Sequence, residues 1–171
     1  LVTAEKRTTA LQKTPIAITA ISGDTLETLV VTDAADLLGK SPNLHIGKSG
    51  ANMEITIRGI TSTNNVESGD PAAAFHIDGI YLGRPIAAGA AFYDLERVEI
   101  LNGPQGTLYG RNATAGSINV ITNKPVEEFQ AALQLNIGNY DRIYTQGMLN
   151  VPVSDEFQMR AAYFTDDRDG Y

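Results

Sequence analysis

Three glycines in one short segment, Gly103, Gly106 and Gly110, have the spacing that most invites a chemical interpretation. Closely spaced glycines let backbone N–H groups approach a phosphate, as they do in nucleotide-binding loops. The spacing here matches neither GxxxxGKS/T nor GxGxxG, and Gly110 is not followed by Lys-Ser or Lys-Thr. The glycines instead indicate a tightly folded loop between two strands, because glycine allows positive φ and close backbone approach.

The remaining residues show no catalytic or metal-binding pattern. His45 and His76 are far apart in sequence and lie in strand-like segments, so we assign neither of them an acid–base or metal-binding role. The chain has no cysteine, which excludes thiol catalysis, disulfides and cysteine-ligated metals. We therefore expect a protein that is not an enzyme and that needs no cofactor and no resident metal.

The charge balance limits the class of partner. The chain has 13 Lys and Arg against 20 Asp and Glu, a formal charge of -7. This balance argues against a nucleic-acid partner, which would call for a basic stripe. No apolar run approaches the roughly 18 residues that a transmembrane helix needs.

The sequence pattern changes near Pro125. Before this point, short alternating segments mix with helix signals and glycine-containing turns, which predicts a small α+β domain. Asp78-Gly79 lies between apolar flanks and is a strong hairpin signal. The predicted strands are 14–21, 53–58, 75–81, 97–101 and 117–122, and the predicted helices are 25–30 and 33–39.

Residues 125–171 follow a simpler pattern of long alternating segments. Phe129, Leu133 and Ile137 share one parity, whereas Gln130 and Gln134 share the other. The pattern predicts strands at 129–137, at 143–151 and from 157 onward, with turns at 138–141 and 152–156. Strands of about nine to eleven residues fit a tilted membrane crossing with the apolar face toward lipid. A soluble antiparallel meander on a core has the same periodicity, which leaves both interpretations open.

The segment from Leu95 to Pro125, LERVEILNGPQGTLYGRNATAGSINVITNKP, resembles the C-terminal signature of the plug domain of TonB-dependent outer-membrane receptors. TPIAITAIS, DLLGKSPNLHI, ITIRGI and FHIDGIYLGR follow the family order, so the resemblance covers essentially the whole chain. It implies an α+β plug domain at 1–124, with a small mixed sheet and short helices. The first antiparallel strands of a transmembrane β-barrel, about three and truncated in this chain, are then expected at 125–171.

The resemblance also implies contacts between the plug and the barrel wall. In the family, the Arg of an IRG motif and the Arg of an RGP motif help to lock the plug to carboxylates of the wall. Arg58 keeps the first position, but Asn102 stands at the second and removes one charge. Arg111 is a candidate substitute, with a simple loop salt bridge as its alternative role.

The front of the chain resembles the end of the TonB box, by which the inner-membrane complex pulls on such receptors. The residues concerned are Leu1, Val2, Thr3 and Ala4. Pairing with a partner strand requires backbone groups that are accessible, so we expect this segment to be extended and mobile.

The function implied by the resemblance is TonB-energised import of a scarce nutrient across the cell outer membrane of a Gram-negative bacterium. A ferric siderophore is the expected cargo, and the implied partners are TonB, outer-membrane lipid and the cargo itself. The family order places outward-facing plug loops at 61–70 and 84–92. The expected ligand contacts are Asn64, Asn65, Tyr81 and Arg84, with an ordinary solvated loop as the alternative. The alternative function is a non-transporting periplasmic signalling or secretion module with a plug-like fold.

Overall fold

The computed structural model describes residues 2, 17–29, 31–37, 39–41, 43–49, 52–61, 71–83, 92–104, 106 and 113–169. The chain divides into two compact units, Leu1–Thr122 and Asn123–Tyr171. The division lies just before Pro125, where the sequence pattern changes.

The first unit contains a mixed five-stranded sheet and a separate two-stranded hairpin. Its strands are β1 (Ala17–Ser22), β2 (Leu44–Ser49), β3 (Asn52–Ile57), β4 (Ala73–Ile77), β5 (Ile80–Tyr81), β6 (Leu95–Asn102) and β7 (Gly116–Thr122). The sheet order is β1-β6-β7-β4-β5, with β4 and β7 parallel and the other neighbours antiparallel. β2 and β3 form the hairpin. The mixed sheet with few helices confirms the α+β prediction.

A short helix, α1 (Gly23–Thr28), follows β1 directly. It begins after Ser22, whose hydroxyl oxygen accepts a hydrogen bond from the backbone N–H of Thr25 at 3.4 Å. Gly23 permits close packing on β6, because a Cβ atom there would clash with the carbonyl oxygen of Leu95. Among the described residues, no helix is long and apolar enough to cross a membrane.

Two details of the first unit differ from the sequence-based prediction. The predicted helix at 33–39 is a 3-10 helix, Ala34–Leu37. Here the Asp36 carboxylate accepts a hydrogen bond from the backbone N–H of Thr32 at 2.8 Å, and such bonds stabilise a tight turn in place of a longer helix. The strand β2 was not predicted, because Gly47, Lys48 and Ser49 interrupt its apolar alternation.

Alternation in the central strands creates the core of the first unit. One parity of β4, β6 and β7 is buried and apolar, and it consists of Ala73, Phe75, Val98, Ile100, Ile118 and Val120. The hairpin contributes Leu44, Ile46, Ile55 and Ile57 to the same cluster. The opposite face of these strands carries the polar side chains His76, Glu99, Ser117 and Asn119 together with the buried apolar Ala74 and Leu101.

The second unit is an antiparallel three-stranded sheet with the order β10-β9-β8. Its strands are β8 (Gln130–Ile137), β9 (Ile143–Ser154) and β10 (Phe157–Asp167). The turn predicted at 152–156 is present but shorter, at 155–156, because β9 continues through Pro152 to Ser154. A register shift between Phe157 and Gln158 accompanies this proline, which cannot donate a ladder hydrogen bond and is tolerated at such irregularities.

The second unit exposes its apolar parity. Leu133 is 74% exposed and Ile137 is 78% exposed, and Phe157, Met159 and Tyr163 of β10 are also exposed. The polar parity is better covered: Gln134 is half-buried, and Tyr144 and Asn150 are buried. This polarity is the reverse of a meander that packs its apolar face on a core.

Candidate functional site

One end of the five-stranded sheet gathers the starts of β1, β4 and β7 with the end of β6. There Gly103 N–H donates to the Ala115 carbonyl at 3.0 Å, and Ala115 N–H donates to the Ala72 carbonyl at 2.9 Å. At the opposite end, the Asp78 carboxylate accepts hydrogen bonds from the Thr122 N–H at 3.0 Å and the Thr122 hydroxyl at 2.8 Å. We call these the loop end and the exit end, since the first unit finishes at Thr122.

Arg58 lies at the loop end. It follows β3, which ends at Ile57. The Cδ1 atom of Ile57 lies 2.9 Å from the position that a Cβ atom of Gly116 would occupy, at the start of β7. The backbone of Arg58 has φ 54°, and its N–H donates to the Asn43 carbonyl at 2.9 Å. Its side chain is exposed and forms no ion pair within the described part of the chain.

The IRG and NGP segments meet at the loop end. The Nη1 atom of Arg58 lies 3.7 Å from the position that a Cβ atom of Gly103 would occupy. The neighbouring Asn102 pairs with Ala17 across β1 and β6, and its Nδ2 donates to the Ala17 carbonyl at 3.4 Å. Because a carbonyl can only accept, this contact orients the amide, and the buried Oδ1 of Asn102 has no hydrogen-bond partner among the residues that the structure describes.

The segment predicted to contact cargo, 61–70, has both of its roots in the first unit. The Thr61 hydroxyl donates to Oε1 of Glu54 in β3 at 3.0 Å. On the other side, the Ala72 carbonyl accepts a second hydrogen bond, from the Thr114 hydroxyl at 3.2 Å. The Ala72 root is therefore tied to the loop end, and the Thr61 root is tied to β3. Asn64 and Asn65 themselves lie outside the described residues.

Of the four predicted cargo contacts the structure describes Tyr81 alone, which lies in β5 at the edge of the sheet. It is partly exposed, and its ring centroid lies 5.5 Å from that of His76, its cross-strand partner. Arg84 lies outside the described residues, so the structure does not test its expected role.

A buried polar row crosses the face opposite the core, and the sequence analysis did not identify it. Glu99, Asn119 and His76 are register partners on β6, β7 and β4. Ser117 Oγ donates to Asn119 Oδ1 at 2.9 Å and lies 3.2 Å from His76 Nδ1. Because the single hydroxyl hydrogen is used toward Asn119, His76 Nδ1–H is the donor to Ser117.

An ion pair extends this row on β6. Arg97 Nε donates to Glu99 Oε1 at 2.8 Å, and the Glu99 side chain is completely buried. The sequence did carry a signal for this row. Polar residues alternate with apolar ones in LERVEILN and SINVIT, which indicates that the second face of these strands also makes contacts. Among the described residues, no group of three or more His, Cys, Asp and Glu is suited to hold a metal ion.

At the front of the chain, the structure describes Val2 alone. Val2 forms a single-residue β-bridge and is 1% exposed, which differs from the mobile, accessible segment expected from the sequence. Burial of its apolar side chain explains why the residue is held in place. Leu1, Thr3, Ala4 and Arg111 lie outside the described residues.

Comparison with known families gives a match over most of the first unit. The family described as TonB-dependent Receptor Plug Domain matches residues 10–117. The chain is 28% identical over 179 residues to the iron-regulated outer membrane virulence protein of Vibrio cholerae, covering 99% of this chain and 28% of that protein.

Solved structures extend the similarity to the second unit. The ferric yersiniabactin uptake receptor FyuA from Yersinia pestis has a TM-score of 0.76 and 30% identity, over 82% of this chain and 22% of that one. P. aeruginosa FpvA, solved with bound pyoverdines, has a TM-score of 0.82 and 21% identity, over 97% of this chain and 22% of that one. The latter likeness shows the fold, and its coverage includes most of β8 to β10. The chain spans under a third of the length of each of these relatives.

Proposed function

The chain belongs to the family of TonB-dependent receptor plug domains, and from this premise we propose that it forms the plug and the first wall strands of an outer-membrane importer. The proposed cargo is a ferric siderophore and the proposed energy source is TonB. The names of two similar proteins, a ferric yersiniabactin uptake receptor and an iron-regulated outer membrane protein, support an iron-carrying cargo. Import of this kind needs no covalent step, so we assign no catalytic residue.

The observation that carries the proposal is the reversed polarity of the second unit. A soluble sheet would leave Leu133, Leu135 and Ile137 in water, where each exposed apolar side chain forgoes roughly 1.5–3 kcal/mol of burial energy. In a membrane wall the same side chains face hydrocarbon, and the polar parity faces the lumen. Attachment of such a sheet to a plug domain favours the importer over a soluble signalling or secretion module.

Cargo recognition is proposed for the loop end. Asn64 and Asn65 belong to a segment whose Ala72 root is held at the loop end and whose Thr61 root is hydrogen-bonded to β3. Amide side chains can both donate to and accept from an oxygen-rich chelate. Tyr81, in β5 at the edge of the sheet, is a further proposed contact, as is Arg84, which lies outside the described residues.

Contact between the plug and the barrel wall is proposed for Arg58, with Arg111 as a second candidate. The support is the exposed Arg58 guanidinium, which forms no ion pair within the described residues and can accommodate a carboxylate in a bidentate contact. Asn102 is uncharged, so we expect the lock either to hold one ion pair fewer than in relatives that carry Arg at this position or to be built differently, with Arg111 as the substitute.

Coupling is proposed for Leu1 to Ala4, which would pair with a strand of TonB by β-augmentation. Since Val2 is buried and already bridged, Val2 must leave its position before the segment can pair. Release of the segment then becomes a step that must precede the pull.

The proposed function can be tested by deleting the gene in the source bacterium and measuring iron-limited growth on ferric yersiniabactin or ferric pyoverdine. Growth on at least one chelate should be lost and restored by the intact gene. The gene carrying Val2→Pro should not restore it, because proline removes a backbone donor and fixes φ, whereas Val2→Ala should restore most growth. Unchanged growth of the deletion strain on every iron chelate tested would overturn the proposal of siderophore import.

A further inference from the structure

Asn150 lies within β9 and is completely buried, at 0% exposure. Its side chain bonds to the backbone of residues 123–129, which we call the joining segment. Nδ2 donates to the carbonyl oxygens of Val126 at 2.8 Å and Glu128 at 2.7 Å, and Oδ1 accepts from the Val126 N–H at 3.1 Å. An asparagine amide has two N–H donors and one carbonyl acceptor, and all are used here.

These bonds determine the path of the joining segment. Asn150 shares its parity with Tyr144 and Gln146, so its side chain lies on the polar face of the sheet. Its ladder partner in β8 is Gln130, yet its amide reaches the backbone of Val126 and Glu128, before β8 begins. The joining segment therefore crosses the polar face at Asn150.

A second anchor lies just upstream. Thr122, the last residue of the first unit, is held by the Asp78 carboxylate through its N–H and its hydroxyl. Val126 is the first residue held by Asn150. Residues 123–125 therefore form a short connection between two side-chain anchors, one belonging to each unit.

We propose that Asn150 is a positioning residue that clamps the joining segment, so that a pull on the first unit ends at Val126 and does not peel β8 from β9. This inference rests on the proposed function, in which TonB supplies the pull. Without the clamp, tension would enter at the first residue of β8 and break its ladder bonds to β9 one at a time. With the clamp, tension passes directly to β9, which is paired on both sides.

The first test measures the clamp in the full-length receptor in detergent. Asn150→Leu removes all three bonds, and Asn150→Asp keeps an acceptor for the Val126 N–H but loses both donors. The matched control is Gln146→Leu, on the same face of the same strand, where the side chain accepts from the Tyr144 hydroxyl and not from the joining segment. Amide exchange of Val126 should be at least about tenfold faster in Asn150→Leu and unchanged in Gln146→Leu.

Proteolysis gives a second measurement of the same contact. Glu127-Glu128 is a cleavage site for a glutamate-specific protease, and both Asn150 variants should be cut there faster than the control. The Asp variant keeps the size of the side chain, so it serves if the Leu variant does not assemble. Wild-type rates of exchange and cleavage in both Asn150 variants would overturn the clamp.

The pull itself can be applied without cargo or TonB. Single receptors in a bilayer are pulled from the front of the chain, and the rate of β8 extraction is recorded at a fixed force. Extraction should be faster in Asn150→Leu than in wild type and Gln146→Leu, and equal rates would overturn the role of Asn150 under tension. If the receptor imports no iron chelate, the proposed function is refuted, whereas these measurements of the clamp remain valid.

Discussion

Phe75 and Phe157 carry the same side chain in opposite environments. Phe75, in β4 of the first unit, is buried in a core shared with β6 and β7, whereas Phe157, at the start of β10, is 55% exposed. The core parity of β4, β6 and β7 is buried like Phe75, whereas Leu133, Ile137 and Met159 of the second unit are exposed like Phe157. Both units consist of alternating strands, so they differ in which parity is covered and not in the alternation itself.

This difference teaches that alternation defines a face but not the medium that the face meets. In the first unit, the hairpin β2–β3 and the short helices cover the apolar face, as a protein in water requires. In the second unit, the polar face is the better covered one, and its buried Asn150 has every amide hydrogen bond satisfied. On our proposal, the solvent of the second unit's apolar face is lipid.

The comparison is tested most severely by the same truncation in both units. Phe75→Ala should destabilise the first unit by about 3–5 kcal/mol, because a large buried side chain leaves a cavity. Phe157→Ala should cost less than about 0.5 kcal/mol for the chain in buffer, as expected for an exposed position. Unfolding monitored by amide exchange of β6 and β10 in the same chain measures both effects. Equal costs would show that the apolar faces of the two units do not differ in burial as the structure indicates.

A charge placed on one face of β8 and then on the other tests which face meets lipid and which meets water. Leu135→Arg should hinder insertion into bilayers by roughly 2–4 kcal/mol if the residue lies near the midplane. Gln134→Arg, on the neighbouring polar parity, should be far milder. Folding of the full-length receptor into vesicles gives both values, and equal insertion of the two variants would refute the proposed orientation.

Glycines provide a smaller contrast. A Cβ atom at Gly116 would clash with the carbonyl oxygen of Leu101, which is fixed backbone, so Gly116→Ala should cost about 1–3 kcal/mol. At Gly147, a Cβ atom would meet the ring of Tyr163, which lies on the exposed face and can swing away. Gly147→Ala should cost less than about 1 kcal/mol. Thermal unfolding of each unit measures the two losses of stability. A larger loss for Gly147→Ala than for Gly116→Ala would contradict the expected order.

Local signals in the sequence were enough to predict most of the strands. The hairpin at Asp78-Gly79 is present, with both residues at positive φ as the dipeptide predicts. The pattern did not predict where β9 ends, because Pro152 is tolerated beside a register shift that only the pairing with β10 reveals. β2 also escaped prediction, since its pairing with β3 compensates for a weak local pattern.

Long-range contacts were beyond the reach of the pattern. Arg58 and Asn102 were singled out by resemblance, yet nothing in their spacing predicts that the Arg58 guanidinium lies beside Gly103. The bonds of Asn150 to Val126 and Glu128 likewise depend on how β9 pairs with β8. Such contacts join residues more than 20 positions apart, and they follow from tertiary packing and not from local propensity.

The smallest expected effect concerns charge at the rim of the second unit. Arg142, in the β8–β9 turn, donates to both carboxylate oxygens of Asp166 at 2.9 and 3.0 Å, which ties that turn to the end of β10. Each side chain is about one-third exposed, so water screens the attraction, and Asp166→Asn should cost less than about 1 kcal/mol. In 1 M salt the screening length is about 3 Å, and most of this cost should disappear. The control is Asp155→Asn, in the β9–β10 turn, which should be neutral at either salt concentration. Unfolding in detergent at low and high salt measures the difference, and a cost that salt leaves unchanged would mean that the contact acts through its geometry, as the buried contacts of the first unit do.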